Sequence, residues 1–217
     1  MYIPAHFAQP NVEAMQALMR AHPLATLATL TPHGIDANHL PLHLMLDGSP
    51  HGVLRGHVAR ANPVWQELSP DHEVLAIFRG PDAYISPSWY PTKRETGRVV
   101  PTWNYAVVHA HGALRVIDDP AWLRSQITAL TAQQEIAMPH PWAVSEAPAE
   151  YIDAMVRGIV GIEITVTRLE GKFKLSQNQP QVNRDGVIEG LQAQGGDAAQ
   201  AMAALVEQQG TAVPKSG

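Results

Sequence analysis

Residues 84–105, Tyr-Ile-Ser-Pro-Ser-Trp-Tyr-Pro-Thr-Lys-Arg-Glu-Thr-Gly-Arg-Val-Val-Pro-Thr-Trp-Asn-Tyr, hold five of the chain's thirteen aromatic residues. Lys93, Arg94, Arg98 and three prolines stand among them. Rings beside fixed cations on a proline-stiffened backbone suit a flat, anionic ligand, because the rings offer stacking area and the cations offset phosphate charge. The same composition also suits a structural aromatic corner under a long loop. Within the window, Val100–Tyr105 presents Thr102, Trp103 and Asn104 at the mouth of a strand. Trp103 is placed to lie over a ring system and Asn104 to pair with a heterocycle edge. The alternative is that Trp103 and Tyr105 fill core.

Two further stretches carry chemistry. In Arg55-Gly-His-Val-Ala-Arg-Ala-Asn-Pro63 a strand ends near His57 and a helix over 61–68 begins at Asn62-Pro63. The free N–H groups of its first turn, with Arg60 beside them, would make an anion seat, and His57 would donate a further hydrogen bond. The plainer reading is a capped helix with a solvated arginine. In Lys172-Phe-Lys-Leu-Ser-Gln-Asn178, Lys174, Ser176 and Gln177 sit where a late strand ends; taken alone this is a weak signal.

Hydrophobic periodicity supplies the elements that must hold these groups. Residues 11–21 read as a short helix with Asn11 as N-cap. Leu24–Leu30, Asn38–Leu46 and Val53–Val58 read as three strands of an antiparallel meander, with Leu40, Leu42, Leu44 and Leu46 on one face. Glu73–Gly80 is a buried strand. Tyr105–Ile117 sets Val108, Ala110, Leu114 and Val116 against His109, His111 and Arg115. Asp119-Pro120 opens a helix to about 135, and another covers 149–157. Gly158–Leu169 alternates, a turn falls at Glu170-Gly171, and Phe173–Leu175 extends the strand. Helices follow near 179–193 and 197–208, with a disordered tail over 209–217. The early connections are too short for parallel crossovers, so strands around one core with inserted helices fit a β-barrel. One domain over 1–208 is expected.

Composition narrows the classes. The chain has no cysteine, which excludes disulfides, iron–sulfur clusters and thiolate zinc sites. The net charge of −5 gives no long-range attraction to nucleic acid, leaving DNA binding to the local cluster Lys93, Arg94 and Arg98. Eleven histidines outnumber the lysines. His109 and His111 could share a metal with a distant carboxylate, although a hydrogen-bonded strand face explains them better. No apolar run reaches the roughly 20 residues of a bilayer span, and no signal peptide is read, so no membrane and a cytoplasmic setting are expected. No Walker loop, Rossmann glycine motif, His-Glu-x-x-His or Gly-x-Ser-x-Gly elbow occurs.

The opening Met-Tyr-Ile-Pro-x-His-Phe, Gly56–Pro63, Tyr84–Lys93, Val100–Tyr105 and Lys174–Asn178 together resemble the PaiB-type family of FMN-binding negative transcriptional regulators. The likeness runs from residue 1 to about 205. It implies an α+β fold, mainly β: an antiparallel split β-barrel of FMN-binding type with peripheral helices, akin to pyridoxamine-phosphate oxidases. It also implies a homodimer with FMN at the subunit interface. Carried over by position, Asn38, His39, Leu40 and Pro41 would run beside the isoalloxazine. His57, Val58, Arg60 and Asn62 would hold the ribityl phosphate, with Lys93 as a nearby cation. Thr102, Trp103, Asn104, Lys174 and Gln177 would close the pocket. The resemblance leaves open a flavin-binding regulator acting indirectly, a flavin-dependent reductase or oxidase, or a haem-binding relative, and direct DNA binding through Lys93, Arg94 and Arg98 stands as a further reading.

Overall fold

A computed structural model describes residues 1–68 and 73–211. Alternating apolar residues build eight strands: β1 (Ala8–Gln9), β2 (Leu24–Thr31), β3 (Gly34–Pro41), β4 (His43–Met45), β5 (Val53–Ala59), β6 (Val74–Ile85), β7 (Thr102–Ile117) and β8 (Ile159–Lys174). Six helices accompany them: α1 (Val12–Ala21), α2 (Lys93–Thr96), α3 (Pro120–Glu135), α4 (Ala149–Arg157), α5 (Gln181–Gln194) and α6 (Asp197–Thr211). The strands form one sheet in the order β3-β2-β6-β7-β8-β5-β4, with β1 beside β8. The pairings β1–β8, β2–β3, β2–β6, β4–β5 and β5–β8 are antiparallel.

The expected strand over 38–46 breaks at Leu42. Pro41 has no N–H to give a ladder, and the Leu42 N–H turns instead to the Pro23 carbonyl at 2.9 Å. Before the break the chain pairs with β2, from Thr31 opposite Gly34 to Leu24 opposite Pro41. After it, His43 stands opposite Arg55 on β5. One run of chain therefore supplies both ends of the sheet. The expected meander gives way to this change of partner, and the sheet stays open as a split barrel rather than closing on itself. Leu40, Leu42 and Leu44 are buried as their spacing predicts, whereas Leu46 is exposed.

Two other expectations are corrected. The helix over 61–68 is only a 3-10 turn, Pro63–Trp65. The turn at Glu170-Gly171 does not form, and β8 runs unbroken to Lys174. Gly171 stands opposite Gln9 on β1, and a Cβ there would press into Gln9 and the Met15 thioether. The glycine makes room inside the strand; it does not end it. α6 continues through Thr211, so 209–211 are helical, while the remaining tail residues 212–217 lie outside the described ones.

The chain divides into two compact units. One comprises residues 19–78 and 109–169. Its core is lined by Leu27, Leu42, Leu54, Phe78, Ile162 and Ile164, all nearly or wholly buried. Each such side chain stabilises the fold by about 1.5–3 kcal/mol. Asp119 caps α3 through the Trp122 N–H at 2.6 Å. Leu123, Val144, Ile152 and Val156 form a smaller cluster of their own.

The other unit comprises residues 1–18, 79–108 and those from 170 onward. Asn11 caps α1 through the Ala14 N–H at 3.0 Å. The first half of the aromatic loop is structural. Tyr90 is buried, and Trp89 lies in a slot on α5 where a side chain on Gly186 or Gly190 would run into it. Asn183 of α5 accepts from the Thr92 hydroxyl at 3.1 Å.

Candidate functional site

In the unit holding residues 19–78 and 109–169, the expected phosphate seat is already partnered. The Arg60 guanidinium grips Asp118 with two bonds of 2.9 and 2.6 Å. It also donates to the Arg157 and Ile159 carbonyls, at 2.9 and 3.0 Å. Hydrogen bonding to Asp118 raises the arginine's pKa and, in return, lowers that of the carboxyl. This cation therefore closes the C-terminus of α4, a position the helix dipole favours. Asn62 accepts from the Val64 N–H at 2.9 Å, one of the first-turn donors, and gives its amide to Asn38 at 2.7 Å. His57 Nδ1 stands 2.8 Å from Gln126 Oε1. Val58 and Leu40 are buried, Pro41 is half-buried and His39 is exposed. Asn38 and Asn62 are thus brought together, while His57 and Arg60 turn to other partners. Asp118 gave no sequence signal, lying far along the chain from the arginine it binds.

In the other unit, β7 alternates. Asn104, Ala106 and Val108 are buried, while Trp103, Tyr105 and Val107 face outward. The outward row borders an open cavity of about 420 Å³ with Arg79 and Asp82. Trp103 is 54% exposed, and Tyr84 meets it edge-on with ring centroids 6.0 Å apart. The Lys172 ammonium lies 5.4 Å from the Tyr105 ring centroid. This is an aromatic shelf with cations at its margin, of a volume within the roughly 300–1,000 Å³ of small-molecule sites. Of the two readings for this loop, the structural corner describes Trp89 and Tyr90, while Trp103 stands exposed and does not fill core.

A second, smaller cavity of about 190 Å³ lies on the other side of this strand's mouth. Thr102, Asn104, Lys174 and Ser176 line it, with Phe7 and Tyr90 as apolar walls. The Lys174 ammonium donates to Thr102 Oγ1. Its pKa is lowered, first by burial and further by the Lys172 charge, against a raising contribution from Tyr105. Asn104 is wholly buried and donates to Ser176 Oγ at 2.9 Å, leaving its Oδ1 without a partner. Ser176 holds a φ of 63°, an uncommon conformation for a residue with a side chain. Gln177 is spent locally, donating to the Phe173 carbonyl at 2.5 Å and accepting from the Leu175 N–H at 2.6 Å. Lys93 reaches Ser88 Oγ at 3.3 Å beside a separate concavity that includes Trp89 and Arg94. In the sequence Phe7 and Tyr90 stand out only as members of longer motifs, and nothing there announces the positive φ of Ser176.

An antiparallel sheet left open in this way is that of the split-barrel folds. Residues 1–168 match the family described as "Putative FMN-binding domain", and the chain belongs to this PaiB-type FMN-binding family. It is 39% identical over 245 residues to an uncharacterized protein of Emericella nidulans, covering 97% of this chain and 98% of that one. It is 33% identical over 207 residues to the Bacillus subtilis protease synthase and sporulation protein PAI 2, covering 95% and 97%. Among solved structures, a conserved hypothetical protein of Mycobacterium tuberculosis shares the fold with a TM-score of 0.57 at 15% identity, covering 83% of this chain and 95% of that one. FMN is the cofactor of the family, and no helix among the described residues is long and apolar enough to cross a membrane.

Proposed function

We propose that this protein is a homodimeric flavin-binding regulator in which bound FMN, not a DNA-reading element, receives the signal. The observation that carries the reading is the half-exposed Trp103 over the 420 Å³ shelf, in a chain whose family binds FMN. When bound, FMN supplies a redox-active ring. The chain's own residues hold and orient it: Trp103 and Tyr105 cover apolar ring surface and Lys172 favours an anion at the margin, while Arg79 is paired with Asp82 at 2.6 Å. The name of the Bacillus subtilis relative, protease synthase and sporulation protein, supports a regulatory role. The net charge of −5 supports an indirect route to gene control over direct DNA binding, in a cytoplasmic protein.

The exposed apolar residues of β2 and β3, Leu24 and Ile35 among them, offer a face on which a second copy would sit. Titration of the purified protein with FMN, read as quenching of flavin fluorescence, with sedimentation to weigh the assembly, tests both parts. Unquenched flavin removes the cofactor reading, and a monomer at micromolar concentration removes the dimer. Bleaching of bound flavin by a reduced nicotinamide would move the protein to the oxidoreductase class instead.

A further inference from the structure

We propose that the small cavity between β7 and the end of β8 binds a small hydroxycarboxylate: the carboxylate on Lys174 Nζ and the neighbouring hydroxyl on the Asn104 side-chain amide. The inference does not rest on the flavin reading. At about 190 Å³ the cavity is smaller than the roughly 300 Å³ from which drug-sized sites begin, so it takes a fragment and not a flavin.

Three observations fix the chemistry. First, among the described residues lining the cavity there is one ammonium and no carboxylate. Lys174 donates to the neutral Thr102 hydroxyl and faces the Phe7 ring at 5.9 Å. A half-buried cation without a counter-charge is costly, and an incoming carboxylate offsets that cost. Burial and the nearby Lys172 charge already pull its pKa down, as an uncompensated ammonium requires.

Second, Asn104 is wholly buried and one polar atom of its amide has no partner. The Ser176 hydroxyl can give or accept, so whichever way the amide faces, one of its two polar atoms is left over. A ligand hydroxyl, which also gives or accepts, satisfies it in either orientation. Third, Ser176 keeps its φ of 63° at this spot, a backbone cost of the kind that clusters at ligand clamps.

The test uses the full-length protein, once flavin-free and once in excess FMN. The probes are glycolate and lactate, their hydroxyl-free counterparts acetate and propionate, neutral acetamide, and inorganic phosphate. The readout is the NMR titration of the Lys174 Cε resonance together with thermal shift. Glycolate and lactate should bind saturably and raise the Lys174 pKa. They should bind roughly three- to tenfold more tightly than acetate and propionate, the increment of one well-made hydrogen bond. Lys174→Met should abolish carboxylate binding without lowering the melting temperature, because it removes a cation that burial penalises.

Binding of acetamide as tight as that of acetate, or carboxylate binding that survives Lys174→Met, overturns the proposal. So does preference for phosphate, which would make the cavity a phosphate seat. Loss of the glycolate-over-acetate preference in Asn104→Ser, with acetate binding kept, supports the assignment of the hydroxyl; an unchanged preference overturns that assignment. Carboxylate binding in the flavin-free protein stands whether or not FMN binds, so the two readings fail separately.

Discussion

The Arg60 guanidinium holds the Asp118 carboxylate in a two-pronged grip of 2.9 and 2.6 Å. The arginine that its sequence setting offers as an anion seat pairs here with a carboxylate of its own chain. Its pull lowers the pKa of Asp118. A carboxyl lowered in the folded state contributes stability above its unfolded pKa, near 3.9. That contribution is lost as pH falls through the lowered folded value. Melting curves of the native protein and Asp118→Asn should therefore differ at pH 7, and the gap should narrow as pH falls below about 3.9. A constant gap across that range would show that the charge is not what stabilises.

Trp103 tests the shelf. Replacing it with Ala should weaken FMN binding roughly three- to tenfold, the effect of removing about 0.5–1.5 kcal/mol of ring stacking. Stability should stay within about 0.5 kcal/mol, since the indole is largely exposed. Fluorescence quenching and chemical denaturation measure the two. A folded variant with unchanged affinity would detach the flavin from β7.

Glu163 lies on β8 between two cations, with Arg55 Nε at 2.7 Å and Arg115 Nε at 2.7 Å, and is only 4% exposed. Removing one member of a buried ion cluster leaves the others uncompensated. Because Arg115 opens to water, the loss for Glu163→Gln should be about 2 kcal/mol, below the roughly 3–5 kcal/mol of a fully buried pair. For a chain of this length that is a fall of about 4–8 °C in melting temperature. A shift under 1 °C would mean that the triad is ornamental.

His22 and His43 predict acid sensitivity. Burial holds both below the ordinary imidazole value, and for His43 the charges of Arg55 and Arg20 push in the same direction. The unfolded chain takes up protons near pH 6.5 before the folded form does. Stability present above that pH is lost as pH falls through the lowered folded values. The melting temperature should fall steadily from pH 7 to 5, and the double variant His22→Gln, His43→Gln should flatten the slope. An equal slope in both proteins would exclude these imidazoles as its source.

Local signals in the sequence were read well, and distant partners were not. The caps at Asn11, Asn62 and Asp119 each sit on a short-range pattern and each forms. The break at Leu42 is invisible because Leu40, Leu42 and Leu44 stay in period and stay buried while the pairing strand changes. Gly171 reads as a turn when its surroundings, Met15 and Gln9, are unknown. The members of the small cavity stand out as separate motifs. What joins them is the pairing of Asn104 with Ser176 and of Lys174 with Thr102, which no spacing rule encodes.

The change of partner at Leu42 also bears on solubility. Sheet margins tempt neighbouring molecules to add a strand of their own. Here both margins belong to a single stretch of chain, and one of them, β4, is only three residues long. A substitution that let residues 38–45 straighten into one unbroken ribbon would lengthen that hem and hand passing copies a template, so Pro41 also guards against fibre growth.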